Sequence, residues 1–215
     1  GTNNDRPVRV PVSGLTDASA LRCSARHTCA TTPSGVVCWG LNSSGQVGDG
    51  TTTNRSLPTP VLGVSEPLEL AAGGSTNCAM DSRNVSCWGN NMFGQLGDGT
   101  TAARSTPTLV PALAGAGIVE IDLGGTHSCG RTASGQVLCW GRNRFGSLGD
   151  GTGVDSLVPV TTVGLVDAVR LDAGFAHSCA VRRAGEVVCW GNNDDGQIGD
   201  ATTDDALEPR MVGGL

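Results

Sequence analysis

Lysine and tyrosine are absent from this chain of 215 residues, and it contains only 3 Phe and 4 Trp. A core built from layers of large aromatic side chains is therefore excluded. All 14 basic residues are arginines, and the formal net charge is −6. Because lysine and tyrosine have AT-rich codons, their joint absence indicates a GC-rich genome, such as that of many bacteria.

Runs of positive charge and long apolar stretches are missing as well. The arginines are dispersed, so the chain lacks the clustered cations that a nucleic-acid binder needs. No stretch approaches the roughly 18 apolar residues of a transmembrane helix, and no secretory signal pattern is present. The sequence therefore predicts no nucleic-acid partner and no membrane insertion.

A repeated motif dominates what is present. The triplet Cys-Trp-Gly recurs at steps of 49, 52 and 50 residues and uses all four tryptophans: Cys38-Trp39-Gly40, Cys87-Trp88-Gly89, Cys139-Trp140-Gly141 and Cys189-Trp190-Gly191. Each triplet opens a segment that aligns without a gap, from CWGLNSSGQVGDGT to CWGNNDDGQIGDAT. Within one repeat region, 1–215, we place four repeats at approximately 16–62, 63–110, 111–160 and 161–212. Residues 1–15 match the end of a repeat, so we expect them to be the outer strand of a preceding one.

Each repeat has the pattern of four short strands. Runs rich in Val, Leu and Cys are interrupted by Gly, Pro, Asn, Asp and Ser every 8 to 12 residues, which is typical of all-β folds. Four strands in about 50 residues match one blade of a β-propeller. The strands are labelled A to D in chain order, with the His-Ser/Thr-Cys step in B and Cys-Trp-Gly in C.

The repeat resembles that of the regulator of chromosome condensation family. The fourth repeat carries the family's hallmarks in order: Ala173-Gly174, His177-Ser178, Gly185, and Trp190-Gly191-x-Asn193-x-x-Gly196-Gln197-Ile198-Gly199. The resemblance covers the whole chain and implies a β-propeller, usually of seven blades. Four repeats cannot close such a ring, so we expect part of a larger propeller or assembly. A small ring and a stacked tube are the alternatives.

Nine cysteines form the second signal. Eight of them make in-repeat pairs, 9 or 10 residues apart, that flank a predicted B–C turn: Cys29 with Cys38, Cys78 with Cys87, Cys129 with Cys139, and Cys179 with Cys189. Opposed residues on antiparallel strands are close enough for a disulfide, so we predict one per blade and an extracellular or cell-surface location. Reduced, buried cysteines are the alternative. For Cys23 we expect a small buried thiol, the alternative being a bond to another part of the protein or another chain.

Patterns for catalysis and metal binding are weak. His27, Cys29 and Cys38 could share one face as a zinc set, but the second repeat has Thr76 in place of the histidine. Carboxylates in the last repeat, at Asp194-Asp195, Asp200 and Asp204-Asp205, lack the spacing of a calcium loop. Neither a nucleophile motif nor a phosphate loop is present. We therefore predict a protein without enzymatic activity, metal or cofactor.

The variable positions of the repeats lie in loops. In an up-and-down blade the A–B and C–D loops emerge at one end, which we call the loop face. Varied loop tips on a regular scaffold are typical of a binding surface, and Arg, Met and aromatic residues are enriched in interface cores. The candidate contacts are Arg26, Met92, Phe93, Arg144, Phe145, Phe175, Asp194 and Asp195. For Phe93 and Phe145 the alternative is that they merely cover a blade edge.

Three functions follow from these observations. We expect a secreted or cell-surface protein that binds another protein through the loop face, as the resemblance to secreted bacterial propellers that inhibit β-lactamases also implies. A structural repeat that binds copies of itself through its open first and last blades is the second hypothesis. The third, implied by the family's founding member, is an intracellular guanine-nucleotide exchange factor or chromatin binder. The repeats have no long insertion and no basic tail to support that role.

Overall fold

Sixteen short strands form four separate antiparallel sheets in the computed structural model, which describes residues 7–213. The sheets are blades 1 to 4. Blade 1 contains β1 (Ala20–Cys23), β2 (His27–Thr32), β3 (Gly35–Gly40) and β4 (Arg55–Pro60). Blade 2 contains β5 (Glu69–Gly73), β6 (Thr76–Met80), β7 (Val85–Gly89) and β8 (Arg104–Leu109). Blade 3 contains β9 (Ile118–Leu123), β10 (His127–Thr132), β11 (Val137–Gly141) and β12 (Ser156–Thr161). Blade 4 contains β13 (Ala168–Ala173), β14 (His177–Arg182), β15 (Val187–Gly191) and β16 (Ala206–Met211).

The strands of every blade pair in chain order, so the all-β propeller architecture expected from the sequence is confirmed. A 3-10 turn at Pro111–Leu113 is the one helical element in residues 7–213. Tight hairpins join B to C because Gly35, Gly135 and Gly185 adopt positive φ, which costs glycine little. Blade 2 lacks that glycine, and there the Asp81 carboxylate accepts hydrogen bonds from the backbone N–H groups of Arg83 and Asn84.

The first strands of the blades lie side by side, with β1 contacting β5, β5 contacting β9 and β9 contacting β13. The apolar core fills the seams between neighbouring blades rather than the blades themselves. Trp140 of blade 3, for example, packs with Ala71 and Leu96 of blade 2. Trp88, Trp140 and Trp190 are fully buried in this way, so each tryptophan wedges its blade against the preceding one.

The predicted outer strand at residues 1–15 lies only partly within the described residues. Residues 1–6 lie outside the described part of the chain, and residues 7–19 contain no strand. Each of the four described blades already contains its own four strands, so none of them has a place for this segment as its outer strand. Its assignment to a preceding blade therefore stays a prediction.

None of the helical segments found between residues 7 and 213 has the length and apolar character needed to cross a membrane.

Candidate protein-binding face

One asparagine organises each C–D loop. In blade 1 the Asn42 side chain accepts a hydrogen bond from the Val47 backbone N–H at 2.8 Å and donates to the carbonyls of Thr51 and Thr53. Asn91, Asn143 and Asn193 repeat the bond to the backbone N–H five residues later. The asparagine side chain therefore supports the turn of each C–D loop. The loops are consequently rigid platforms for the residues at their tips.

In three of the four C–D loops an aspartate also forms an ion pair with an arginine, an arrangement to which the sequence analysis assigned no role. Asp49 pairs with Arg55, Asp98 with Arg104, and Asp200 with Arg210. Desolvation of Asp49 favours its protonated form, but hydrogen bonds from Thr51 and Arg55 outweigh that effect and lower the carboxyl pKa. The available sequence signal was the six-residue spacing from Asp49 to Arg55 and from Asp98 to Arg104, which Asp200 and Arg210 do not share.

The four disulfides expected from the sequence are present, one in each B–C hairpin. In blade 1, Cys29 lies directly opposite Cys38 in the strand register, with their Cα atoms 4.1 Å apart. The other three pairs repeat this arrangement at 4.0 to 4.1 Å. The bonds tie B to C in the buried middle of each blade and so hold the bases of both loops that form the loop face.

The expected burial of Cys23 is wrong, because its side chain is exposed. Cys23 ends β1, and its counterpart Leu123 in blade 3 is buried. Leu123 is covered by the packing between blades 2 and 3, whereas no blade packs before blade 1 within residues 7–213, so the Cys23 thiol is exposed there.

The residues weighed for zinc binding do not form a metal site in this structure. The Cys29 and Cys38 sulfurs are bonded to each other, and the His27 Nε2 donates to the Asn77 side-chain oxygen at 2.8 Å. Burial lowers the pKa of His27 despite that hydrogen bond. Within residues 7–213 no group of three or more His, Cys, Asp or Glu side chains is placed to hold a metal ion.

The A–B and C–D loops emerge together in every blade. The backbone N–H that follows the Trp-Gly step donates to a carbonyl of the A–B loop, as from Leu41 to Arg26 at 2.8 Å and from Arg142 to Thr126 at 3.0 Å. All eight predicted contact residues therefore lie on the loop face. Arg26, Met92, Arg144, Phe175, Asp194 and Asp195 are exposed, whereas Phe93 and Phe145 are half-buried.

Two arginine–phenylalanine stacks lie on this face. The Arg142 guanidinium of blade 3 sits 4.6 Å from the ring centre of Phe93 of blade 2, and Arg144 sits 5.3 Å from the ring centre of Phe145. The Arg142 stack spans the seam between two blades, so Phe93 does cover a blade edge while part of its ring remains accessible. The sequence analysis missed Arg142, since only the folded neighbour brings it to Phe93.

Phe175 is the most prominent apolar group of the face. It is 79 % exposed at the tip of the A–B loop of blade 4, where its carbonyl accepts a hydrogen bond from the backbone N–H of Gly125 in the neighbouring A–B loop. Met92, at 66 % exposure, stands beside Phe93. Asp194 accepts a hydrogen bond from the Asn192 side chain at 2.9 Å, so the acidic tip of blade 4 is also held in place.

Comparison with known proteins agrees with this architecture. Human WBSCR16 superimposes with a TM-score of 0.81 and 25 % sequence identity, over 92 % of this chain and 53 % of that one. Prp20p from Saccharomyces cerevisiae superimposes with a TM-score of 0.84 and 20 % identity, over 95 % of this chain and 52 % of that one. The chain thus spans about half the length of these two solved structures.

Sequence comparison identifies the repeat itself. The human E3 ubiquitin-protein ligase HERC2 is 40 % identical over 52 residues, which is 24 % of this chain and 1 % of the ligase. The family model of the regulator of chromosome condensation (RCC1) repeat matches residues 35–80, 84–130 and 134–181. A second model of the repeat matches residues 19–46, 118–147 and 168–197. The chain therefore belongs to the regulator of chromosome condensation repeat family.

Proposed function

We propose that this chain is a binding module without enzymatic activity that holds another protein against its loop face. The proposal rests on one observation: Met92, Arg144 and Phe175 expose residue types favoured in interface cores on a face whose loops are rigidly held. Exposed leucines also occur on the outer strands, as at Leu57 and Leu109. These leucines lie apart from each other on the outer strands, which form the rim of the array, and the two arginine stacks lie elsewhere.

The charges of the face suggest the chemistry of the partner. Arg142 and Arg144 present guanidinium groups beside aromatic rings, a combination that suits carboxylates next to an apolar pocket. Asp194 and Asp195 place negative charge on the last blade. We expect a protein whose acidic, partly apolar surface covers blades 2 and 3 and whose basic surface covers blade 4.

The class of partner and the compartment have separate support. Prp20p, which shares the fold, has been described for its binding to Gsp1p and histones, and this favours a protein as the partner class. Four disulfides in one chain favour an oxidising compartment, because thiols stay reduced in the cytosol. A secreted or cell-surface location is therefore part of the proposal.

The test compares two sets of exposed residues. The triple variant Met92→Ala, Arg144→Ala, Phe175→Ala removes the loop-face contacts, and Leu57→Ala, Leu109→Ala, Val158→Ala removes as many exposed side chains from the rim. Proteins captured from the extracellular and surface fractions of the source are identified by mass spectrometry. The dissociation constant of each purified candidate is then measured by calorimetry.

We expect the loop-face variant to raise the dissociation constant at least about tenfold and the rim variant to leave it within about twofold, because few residues carry most of a binding energy. Both variants change exposed residues, so both should retain the thermal midpoint of the parent protein. A partner that binds the loop-face variant as tightly as the parent protein would exclude this face.

Self-association is a second candidate function, favoured by the environment of Trp39. Three of the four tryptophans are fully buried between blades, whereas Trp39 in blade 1 is only half-buried. A side chain that is buried at every internal seam but open at the first blade indicates a surface built to receive another blade.

A further inference from the structure

Two of the C–D loops are closed from within by an asparagine and a glutamine five residues apart. In blade 2 the Gln95 side-chain amide donates to the Asn90 side-chain oxygen at 2.8 Å, and in blade 4 Gln197 donates to Asn192 in the same way at 2.6 Å. The Gln95 side-chain oxygen also accepts a hydrogen bond from the Phe93 backbone N–H at the loop tip. The asparagine, which follows the Trp-Gly step, is therefore held against its own loop.

Blades 1 and 3 depart from this pair in different ways. Blade 1 has Leu41 in place of the asparagine, and the buried side-chain nitrogen of Gln46 has no hydrogen-bond partner in residues 7–213. Blade 3 changes both positions, to Arg142 and Ser147. The Ser147 hydroxyl donates to the Arg142 backbone carbonyl at 2.7 Å, so this loop is closed without the arginine side chain. The Arg142 side chain is therefore available for a contact outside its own loop.

That contact is with the C–D loop of blade 2. The Arg142 guanidinium lies 4.6 Å from the centre of the Phe93 ring, and Met92, the chain neighbour of Phe93, is 66 % exposed at the same loop tip. We call the place bordered by Met92, Phe93 and Arg142 the notch. Blades 2 and 3 both lie within the described residues, so the notch belongs to an internal seam on the loop face.

Arg142 differs from the other half-buried arginines in having no acidic partner. Within residues 7–213 each of the other four forms an ion pair at 2.5 to 2.9 Å, namely Arg55 with Asp49, Arg104 with Asp98, Arg131 with Glu120, and Arg182 with Asp167. The Arg142 guanidinium makes neither an ion pair nor a hydrogen bond in that part of the chain, so its five N–H donors have no protein acceptor. A cation partly removed from water without a counter-charge is unfavourable. An anion bound in the notch would remove that penalty.

We propose that the notch binds one carboxylate of the partner protein, from an aspartate or glutamate that stands next to an apolar residue. Two carboxylate oxygens match the planar fork of guanidinium donors, and the apolar neighbour packs against Met92 and the accessible part of the Phe93 ring. A single guanidinium balances the charge of a carboxylate but not the roughly two negative charges of a phosphoryl group. The inference rests on the proposed function, since it names the group through which the partner contacts blades 2 and 3.

Titration with a small carboxylate tests the notch independently of the partner. The capped dipeptide acetyl-Leu-Asp-amide is added to the isotope-labelled chain of 215 residues, and the Nε–H signal of Arg142 and the backbone amide of Phe93 are followed by NMR. We expect both signals to shift saturably with a dissociation constant of about 1 to 10 mM, as for one charge-assisted contact with a small apolar neighbour. Acetyl-Leu-Asn-amide, which has no charge, should bind at least about tenfold more weakly.

Three variants separate the guanidinium from its surroundings. Arg142→Asn combined with Ser147→Gln gives blade 3 the asparagine–glutamine pair of blades 2 and 4, so this double variant should keep the thermal midpoint of the parent and lose the saturable shift at Phe93. Arg142→Lys keeps the charge without the planar fork, so the dissociation constant should rise about threefold to tenfold. The control Arg83→Asn removes the same charge from the exposed B–C turn at the opposite end of blade 2. It should bind the dipeptide within about twofold of the parent, because distant exposed charges are screened.

The absence of a saturable shift at Arg142 up to about 50 mM dipeptide would overturn the site, as would tighter binding of inorganic phosphate than of the dipeptide. The partner captured in the loop-face test should bind the double variant at least about tenfold more weakly than the parent. A partner that binds the double variant as the parent does, but loses affinity for the loop-face variant, would overturn the Arg142 contact and retain the proposed function. Saturation of the notch with no captured protein would support the carboxylate site and count against the proposed function.

Discussion

At the residue scale, the fourth repeat departs from the others at a position that requires an unusual backbone. Gly50, Gly99 and Gly151 adopt φ between 79° and 81°, and the fourth repeat has Ala201 at φ 65°. An L-residue in this left-handed region is disfavoured by contact between its Cβ and the backbone. The exposed Ala201 therefore stores local strain that the other repeats avoid.

Replacing Ala201 by glycine should raise the free energy of unfolding by about 0.5 to 1 kcal/mol, since relief of the strain exceeds the added chain entropy of glycine. The reverse change, Gly151→Ala, should destabilise by a similar amount, because Gly151 has a φ of 80° in the same left-handed region. Guanidinium titrations with the disulfides intact measure both values. A lower midpoint for Ala201→Gly would contradict the strain.

At the element scale, carboxylates join the first strands of neighbouring blades. Glu69 on β5 accepts a hydrogen bond from the Ile121 N–H on β9 at 2.9 Å, and Asp122 on β9 accepts one from the Ala173 N–H on β13 at 2.7 Å. Burial, more than the nearby Asp172 charge, raises the pKa of Asp122 to about 6, although the hydrogen bonds from the Ala173 and Leu123 backbone N–H groups act in the opposite direction. The link between blades 3 and 4 is consequently sensitive to pH.

The direction of that sensitivity follows from proton binding. The folded state holds a proton on Asp122 up to about pH 6, whereas the unfolded state releases it near 3.8, so this residue lowers stability as pH rises through that window. Asp122→Asn should therefore gain about 2 to 3 kcal/mol relative to the parent between pH 4 and pH 7.5. His127, whose pKa burial lowers to about 4, titrates in both proteins and cancels in the difference.

Denaturant titrations at a series of pH values give this difference directly. Glu120→Gln is a suitable comparison, because Glu120 lies on the same strand but pairs with Arg131 instead of a neighbouring blade. Parallel stability curves for the parent and Asp122→Asn would show that Asp122 does not titrate in this window.

At the scale of the whole molecule, the number of free thiols tests both the fold and the compartment. Four bonds leave Cys23 as the one free thiol of nine cysteines, and it is exposed. Each bond closes a short loop, for which the chain-entropy model gives about 2 to 3 kcal/mol. The blades of a reduced chain should therefore be considerably less stable.

Alkylation followed by intact mass measurement should find one adduct without reductant, under both native and denaturing conditions, and nine after reduction. Cys23→Ser should give none before reduction. Protein from its native source that takes up nine adducts before reduction would remove the disulfides and, with them, the argument for an oxidising compartment.

Much of this architecture could be predicted because the repeat carries it four times. Cys29 and Cys38 flank one turn, so their pairing follows from local strand geometry. Contacts between blades were harder to predict from the sequence. The packing of Trp190 between two blades could be expected, but the sequence does not reveal that its N–H donates to the Ser147 carbonyl 43 residues earlier. Arg142 and Phe93 likewise meet only across a seam, and the exposure of Cys23 depends on which blade stands beside it.

In all three seams the tryptophan of the later blade donates to a carbonyl of the earlier blade. This shared direction affects how genes for such chains can gain or lose repeats. Every repeat encodes both a tryptophan for the blade before it and a carbonyl for the blade after it. In-frame recombination that inserts or deletes one whole repeat joins a compatible pair at the new boundary. The coding sequence can therefore lengthen or shorten in units of one blade without evolving a new interface.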